Sequence, residues 1–157
     1  MALKDKLEKI SKAETTKKVD LKKVLLEWQK QVQITLAKTQ DWLKPYLEQG
    51  LLKVVEKEKT INEEIFGEYK VKQLEYKFGK YRLVFEPMGR NILGAWGRID
   101  VYFRGNKTDK YILVLLGEKF ETSKWYLSSF QNKSKRIEFN KKNLEKLIED
   151  WIDQNTF

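Results

Sequence analysis

The sequence predicts an α+β fold: an antiparallel β-meander of about six or seven strands, with a long N-terminal helix and a C-terminal helix packed on it. Apolar residues recur at threes and fours from Leu21 to Leu47 and again from Leu144 to Ile152, the spacing of one helix face. Between these blocks they alternate at twos, the spacing of a strand with one covered side. The alternating segments are separated by short turns, and strands joined by short turns pair antiparallel with their neighbours.

The centre of the meander is Trp96 to Glu118, WGRIDVYFRGNKTDKYILVLLGE. In its first arm Ile99, Val101 and Phe103 point one way, while Trp96, Arg98, Asp100, Tyr102 and Arg104 point the other. The turn is Gly105 to Asp109, whose glycine and asparagine tolerate the positive φ of hairpin loops. The second arm, Tyr111 to Leu116, is apolar throughout. That run is too short for a membrane span and suits a central strand covered on both faces, with the two helices as the candidates to cover it.

The other elements follow in order. Leu3, Leu7 and Ile10 mark a short one-stripe helix over residues 1–15, a loosely docked arm, with Thr15 to Lys18 as a connection. Asp20 caps the next helix, of about 25 residues, which Pro45 bends or ends near Lys44 and Gly50 stops. Trp28 and the width of the stripe favour a helix laid over a sheet, rather than a coiled-coil seam. Leu52 and Val54 begin a strand. Tyr69 and Val71 then alternate until the parity slips at Gln73–Leu74, the mark of a bulge or a bend. Gly79–Lys80 fits a two-residue turn before Tyr81, Leu83 and Phe85, and Pro87 to Gly89 ends that strand. The loop from Arg90 to Gly97 has three nearby glycines but lacks the lysine and hydroxyl of a phosphate-binding loop. Trp125 to Phe130 and Arg136 to Phe139 are strands, the latter at an edge, and Asn140 caps the final helix. Without an internal repeat or a dividing linker, residues 1–157 are expected to form one domain.

Composition closes off several chemistries. There is no histidine, so serine–histidine triads, cysteine–histidine dyads and histidine zinc sites are excluded. With no cysteine there is neither a disulfide framework nor a thiolate metal site. No apolar leader and no stretch approaching ~18 apolar residues are present, so the expected location is cytoplasmic and away from membranes. The net charge of +9 comes from 32 basic and 23 acidic residues. The lysines are interspersed with acids, whereas a nucleic-acid footprint is clustered. What remains is carboxylate and lysine chemistry, with hard metals such as magnesium.

Gly97 to Lys119 resembles the core of PD-(D/E)xK nucleases, in which an Asp on one hairpin strand and a Glu-x-Lys on the next hold magnesium. The resemblance covers 23 of 157 residues. It puts Asp100 at the first acidic position, Glu118 at the second and Lys119 as the lysine. Here the lysine follows the glutamate directly, and alternation sends the two to opposite faces unless Gly117 marks a bulge.

The leading expectation is a non-catalytic cytosolic protein-binding module, with no cofactor and no metal. Its site is the strand face of Trp96, Arg98, Asp100, Tyr102 and Arg104, because arginines among aromatics recur at binding hot spots. The bland reading of the same face is that it is sealed beneath a helix or solvated as salt bridges. One alternative is nucleic-acid binding by this basic, aromatic face. Another is a divergent magnesium-dependent nuclease using Asp100, Glu118 and Lys119.

Overall fold

In the computed structural model, which describes residues 2–90, 94–105 and 109–156, one helix, α1, runs unbroken from Ala2 to Glu48. This corrects the expected break at Thr15–Lys18 and the helix start at Asp20. The connecting residues include neither glycine nor proline, and threonine costs a helix only tenths of a kcal/mol, about 0.7 at most. The Thr15 hydroxyl is satisfied within the helix, donating to the Ser11 carbonyl at 2.9 Å. Pro45 does not end α1 either. The stop comes at Gly50, which takes φ +73°, while Leu51 N–H bonds the Tyr46 carbonyl at 3.0 Å and Gly50 N–H that of Leu47 at 3.2 Å. This is a glycine-terminated Schellman turn. At 1.5 Å per residue the helix is about 70 Å long. Residues 2–20 are exposed throughout, and contact with the body begins near Leu21.

Among the described residues the strands are β1 (Lys53–Glu63), β2 (Gly67–Phe78), β3 (Tyr81–Gly89), β4 (Arg98–Arg104), β5 (Lys110–Leu116), β6 (Lys124–Ser129) and β7 (Ile137–Glu138). They form one antiparallel sheet in sequence order. Helix α2 (Lys141–Asn155) starts at Asn140, whose side chain accepts a hydrogen bond from the Asn143 N–H at 2.8 Å. Residues 106–108 of the expected central turn and 91–93 of the glycine loop lie outside the described residues. No described helix is long and apolar enough to cross a membrane.

Both helices lie on the same face of the sheet. Trp28, Val32, Leu36 and Leu43 of α1 and Leu144 and Trp151 of α2 join one core with Leu83, Phe85, Ile99, Val101, Phe103, Leu113 and Leu115. Trp151 stacks on Phe103 with ring centroids 4.5 Å apart, and its Nε1 donates to Asp109 at 2.9 Å. Trp28 lies so close to Gly97 that a Cβ there would stand 2.3 Å from the indole. The glycine is thus required by close packing.

The cover expected over each face of β5 is therefore present on one only. Leu113 and Leu115 belong to the helix-side core, whereas Ile112 and Val114 are buried outside it. They are sheltered by their sheet neighbours: Asp100 and Ser128 flank Ile112, and Arg98 and Tyr126 flank Val114.

The parity slip in β2 is a bend and not a bulge. Pairing of β1 with β2 is continuous from Lys53↔Lys77 to Glu63↔Gly67, yet β2 meets β3 only from Leu74 onward. The free part of the hairpin leaves the sheet and bends toward α1, so that Tyr69 and Val71 are buried although their parity is that of Glu75. Trp28 Nε1 donates to the Tyr69 hydroxyl at 3.1 Å, and Tyr69 donates in turn to Glu63.

Two stability outcomes follow from this packing. Leu113→Asp should abolish folding, because a carboxylate placed at a fully buried core position costs several kcal/mol, of the order of the whole stability. Deleting residues 2–12 should shift the urea midpoint by less than about 1 kcal/mol equivalent, since these side chains touch nothing in the body. Urea denaturation followed by circular dichroism measures both.

Candidate functional site

The pleat of β4 sends Arg98, Asp100, Tyr102 and Arg104 to the face opposite the helices. The meander sets their neighbours: Glu86 and Ile112 stand beside Asp100, Val84 and Lys110 beside Tyr102, and Arg82 beside Arg104. Charged residues directly opposite each other between β3 and β4 are of like sign, Glu86 with Asp100 and Arg82 with Arg104, so opposite charges meet on the diagonals, as Lys110 does with Asp100.

Asp100 is 1% exposed. Arg98 grips it in two places, Nε to Oδ1 at 2.6 Å and Nη2 to Oδ2 at 3.3 Å. Lys110 Nζ approaches Oδ2 to 2.9 Å. A carboxylate taken out of water is tolerable only with such partners, and removing one of them leaves a charge poorly compensated. Glu75, also 1% exposed, has Lys57 Nζ at 2.8 Å and Arg82 Nη1 at 3.9 Å. Glu86 accepts from the Tyr102 hydroxyl at 2.8 Å and from Lys59 Nζ at 2.6 Å. Lys59 also donates to the Pro87 carbonyl at 2.8 Å.

Burial raises the Glu86 carboxyl, but the bonds from Lys59 and Tyr102 outweigh it and hold the group below the usual glutamate value. Burial, with the Glu86 carboxylate beside it, pushes the Tyr102 hydroxyl up to about 12. Tyr76, on the helix side, also rises to about 12, chiefly by burial and despite its bond with Thr39.

Of the five residues expected to form the face, four are brought together. Arg98 and Asp100 are locked to each other, Tyr102 is engaged by Glu86, and Arg104 is exposed, its guanidinium 5.2 Å from the Tyr102 ring centroid. Trp96 stands apart. It packs against the helix-side core, donates from Nε1 to the Gly117 carbonyl at 2.7 Å, and carries the Arg90 guanidinium 5.1 Å from its ring centroid. Trp96 precedes the regular pairing of β4 and does not follow its pleat. Lys57, Lys59, Glu75 and Lys110 belong to the face as much as the expected residues do. Phe130 does also: it is 42% exposed, with Lys133, Lys110 and Arg98 at 4.5, 5.1 and 6.0 Å from its centroid.

The residues of the nuclease alternative do not converge. Leu115 is bonded to Trp96 and Gly97, so Glu118 leaves the sheet beyond the start of β4. Asp100 sits two residues, about 7 Å, inside that strand. Glu118 and Lys119 are exposed. Among the described residues no three acidic side chains gather where they would hold a metal ion.

Comparison with family models, curated proteins and solved structures finds no match for this chain.

Two outcomes test this geometry. Arg98→Ala should lower stability by about 1–3 kcal/mol, because Asp100 keeps only Lys110, while Arg104→Ala should change it by less than about 0.5. Chemical denaturation at neutral pH compares them. Tyr76 and Tyr102 ionise near 10 in an unfolded chain and near 12 in the folded one. Folding thus favours their neutral forms, and that contribution is complete below pH 10 and lost as pH rises through 12. Burial also raises the Tyr69 and Tyr111 hydroxyls, so tyrosinate absorbance should show four hydroxyls titrating late, and stability should decline as pH rises through about 12.

Proposed function

We propose that this chain is a non-catalytic, cytosolic protein-binding module and that the projecting half of α1 engages its partner. One observation carries the reading. Leu3, Leu7 and Ile10 are 72%, 56% and 57% exposed. At 100° per residue they fall on the same helix face as Trp28, Val32 and Leu43, which are buried on the sheet. Past a charged interval at Glu14 and Lys17, the face that docks α1 therefore carries three more aliphatic residues, with nothing over them among the described residues.

An isolated helix of this length is marginal in water, but here it is extended from a docked half that holds the first turns in place. A preformed helix with apolar residues at fours and threes suits helix-in-groove recognition, and little ordering entropy remains to be lost on binding. Covering three aliphatic side chains contributes roughly 1.5–3 kcal/mol each, before association costs. The strand face around Asp100 offers less, since its charges already satisfy one another, and exposed pairs contribute only ~0–1 kcal/mol.

Capture from a lysate treated with nuclease tests the reading. The intact chain should retain a protein partner, and Leu7→Lys and Ile10→Lys should each release it while melting like the parent. Retention by both variants would overturn the role of the stripe.

The second reading, nucleic-acid binding, is favoured by Phe130 and the three cations around it. An exposed ring among cations stacks on bases while the charges meet phosphates. If this is the activity, a labelled single-stranded oligonucleotide should bind with strong salt dependence, and Phe130→Ala should weaken it by about 1–3 kcal/mol. Binding unchanged in that variant would remove the reading.

A further inference from the structure

We infer that the projecting helix of one copy docks in an acidic-walled apolar groove at the far end of α1 on a second copy. The inference rests on the protein-binding reading above and names the partner.

The groove, of about 380 Å³, opens between the end of α1, β2 and α2. Leu43, Leu52, Phe78, Ile148 and Ile152 supply its apolar lining, with Leu51 62% exposed at its mouth. Its charged lining among the described residues is wholly acidic: Glu145, Glu149 and Asp153, spaced at fours along α2. On its outer side this row is bordered by Lys141, Lys142 and Lys146, which share a shallow depression with Glu145 and Glu149; Lys146 lies 3.6 Å from Asp150. An apolar trough with a row of carboxylates calls for an amphipathic helix with basic flanks.

The projecting helix has that chemistry. Residues 2–18 hold six lysines against three acidic residues. Helical spacing puts Lys4, Lys6, Lys17 and Lys18, against one acid, Glu14, within about a quarter turn of the stripe of Leu3, Leu7 and Ile10. Both halves of the contact are thus present in one chain, apolar against apolar and basic against acidic.

They cannot meet within one molecule. Leu7 and Tyr46, which lines the groove, are 39 residues apart on one continuous helix, roughly 60 Å. No glycine or proline lies between residues 2 and 44 to let α1 fold back. The occupant must come from another molecule. If two copies exchange helices reciprocally, both grooves and both stripes are used, and the assembly closes as a two-fold dimer.

Sedimentation equilibrium of the full chain should show a reversible dimer, weakened at high salt. Leu7→Lys should raise its dissociation constant tenfold or more without altering the melt at dilutions where both proteins are monomeric. Charge exchange gives the sharper test. A Lys6→Glu, Lys17→Glu chain and a Glu149→Lys, Asp153→Lys chain should each be monomeric, because helix and groove then carry like charge. Mixed, they should form a heterodimer, since both contacts are then complementary. The chain has no cysteine, so Leu7→Cys in one copy and Ile148→Cys in the other should join as a disulfide only on mixing.

A monomer at every concentration, a dimer indifferent to Leu7→Lys, or charge variants that fail to pair would each overturn the inference. So would binding of the helix to anionic vesicles in place of a second copy. If the chain is monomeric while lysate capture still depends on Leu7, the protein-binding reading survives and only the self-association falls. If capture is lost as well, both fall.

Discussion

Trp28 lies directly against the backbone at Gly97, and this contact sets where α1 sits. The indole is fully buried, donates to Tyr69 on the bent hairpin, and meets Trp125 of β6 with centroids 6.2 Å apart. One side chain thereby ties the helix to the start of β4, to the β1–β2 ribbon and to the far strands. Any Cβ at residue 97 would displace the ring, so the approach depends on glycine. With Trp28 held there, the turns from Leu21 to Leu47 lie over the sheet, and the turns before them have no sheet to lie on.

The same placement decides the character of the opposite face. Because α1 and α2 share one side, the other must balance its charges from within the sheet. It does so with paired carboxylates and long cationic side chains: Arg98 and Lys110 on Asp100, Lys57 on Glu75, Lys59 on Glu86. The aliphatic stems of such side chains shelter apolar surface while their heads stay wet. This is how Val84, Ile112 and Val114 come to be buried with no helix over them. A face whose charges are mutually satisfied gains little from a new polar partner, which shifts attention to the unpaired apolar surface elsewhere.

That surface is divided between the two ends of α1. At one end a stripe of three aliphatic residues is flanked by lysines; at the other an apolar groove is walled by carboxylates. A straight helix keeps them apart in one molecule and presents them outward. Rigidity is thus part of the proposed recognition: a flexible tether would allow the stripe to fold back and cover its own groove.

The class and order of elements were legible in the sequence, because the periods of 3.6 and 2 come from local geometry and need no knowledge of neighbours. The alternation of β4, the turn at Gly79, the stop at Gly50 and the cap at Asn140 are all of this kind. The continuity of α1 was not legible. Thr15 to Lys18 reads as a connection by composition, but threonine and lysine are only mildly unfavourable in a helix, and cooperative extension from a docked half prevails. Nor did alternation reveal that Trp96 departs from the pleat, and its slip at Gln73–Leu74 left bulge and bend equally open until the unbroken β1–β2 pairing decided for the bend. The side of the sheet on which each helix packs, the lysines that reach Glu75 and Glu86 from β1, and the distance between Asp100 and Glu118 were decided by tertiary structure alone. A strand's sequence records which residues share a face. What lies over that face depends on elements distant in the chain, and they meet it only when the core closes.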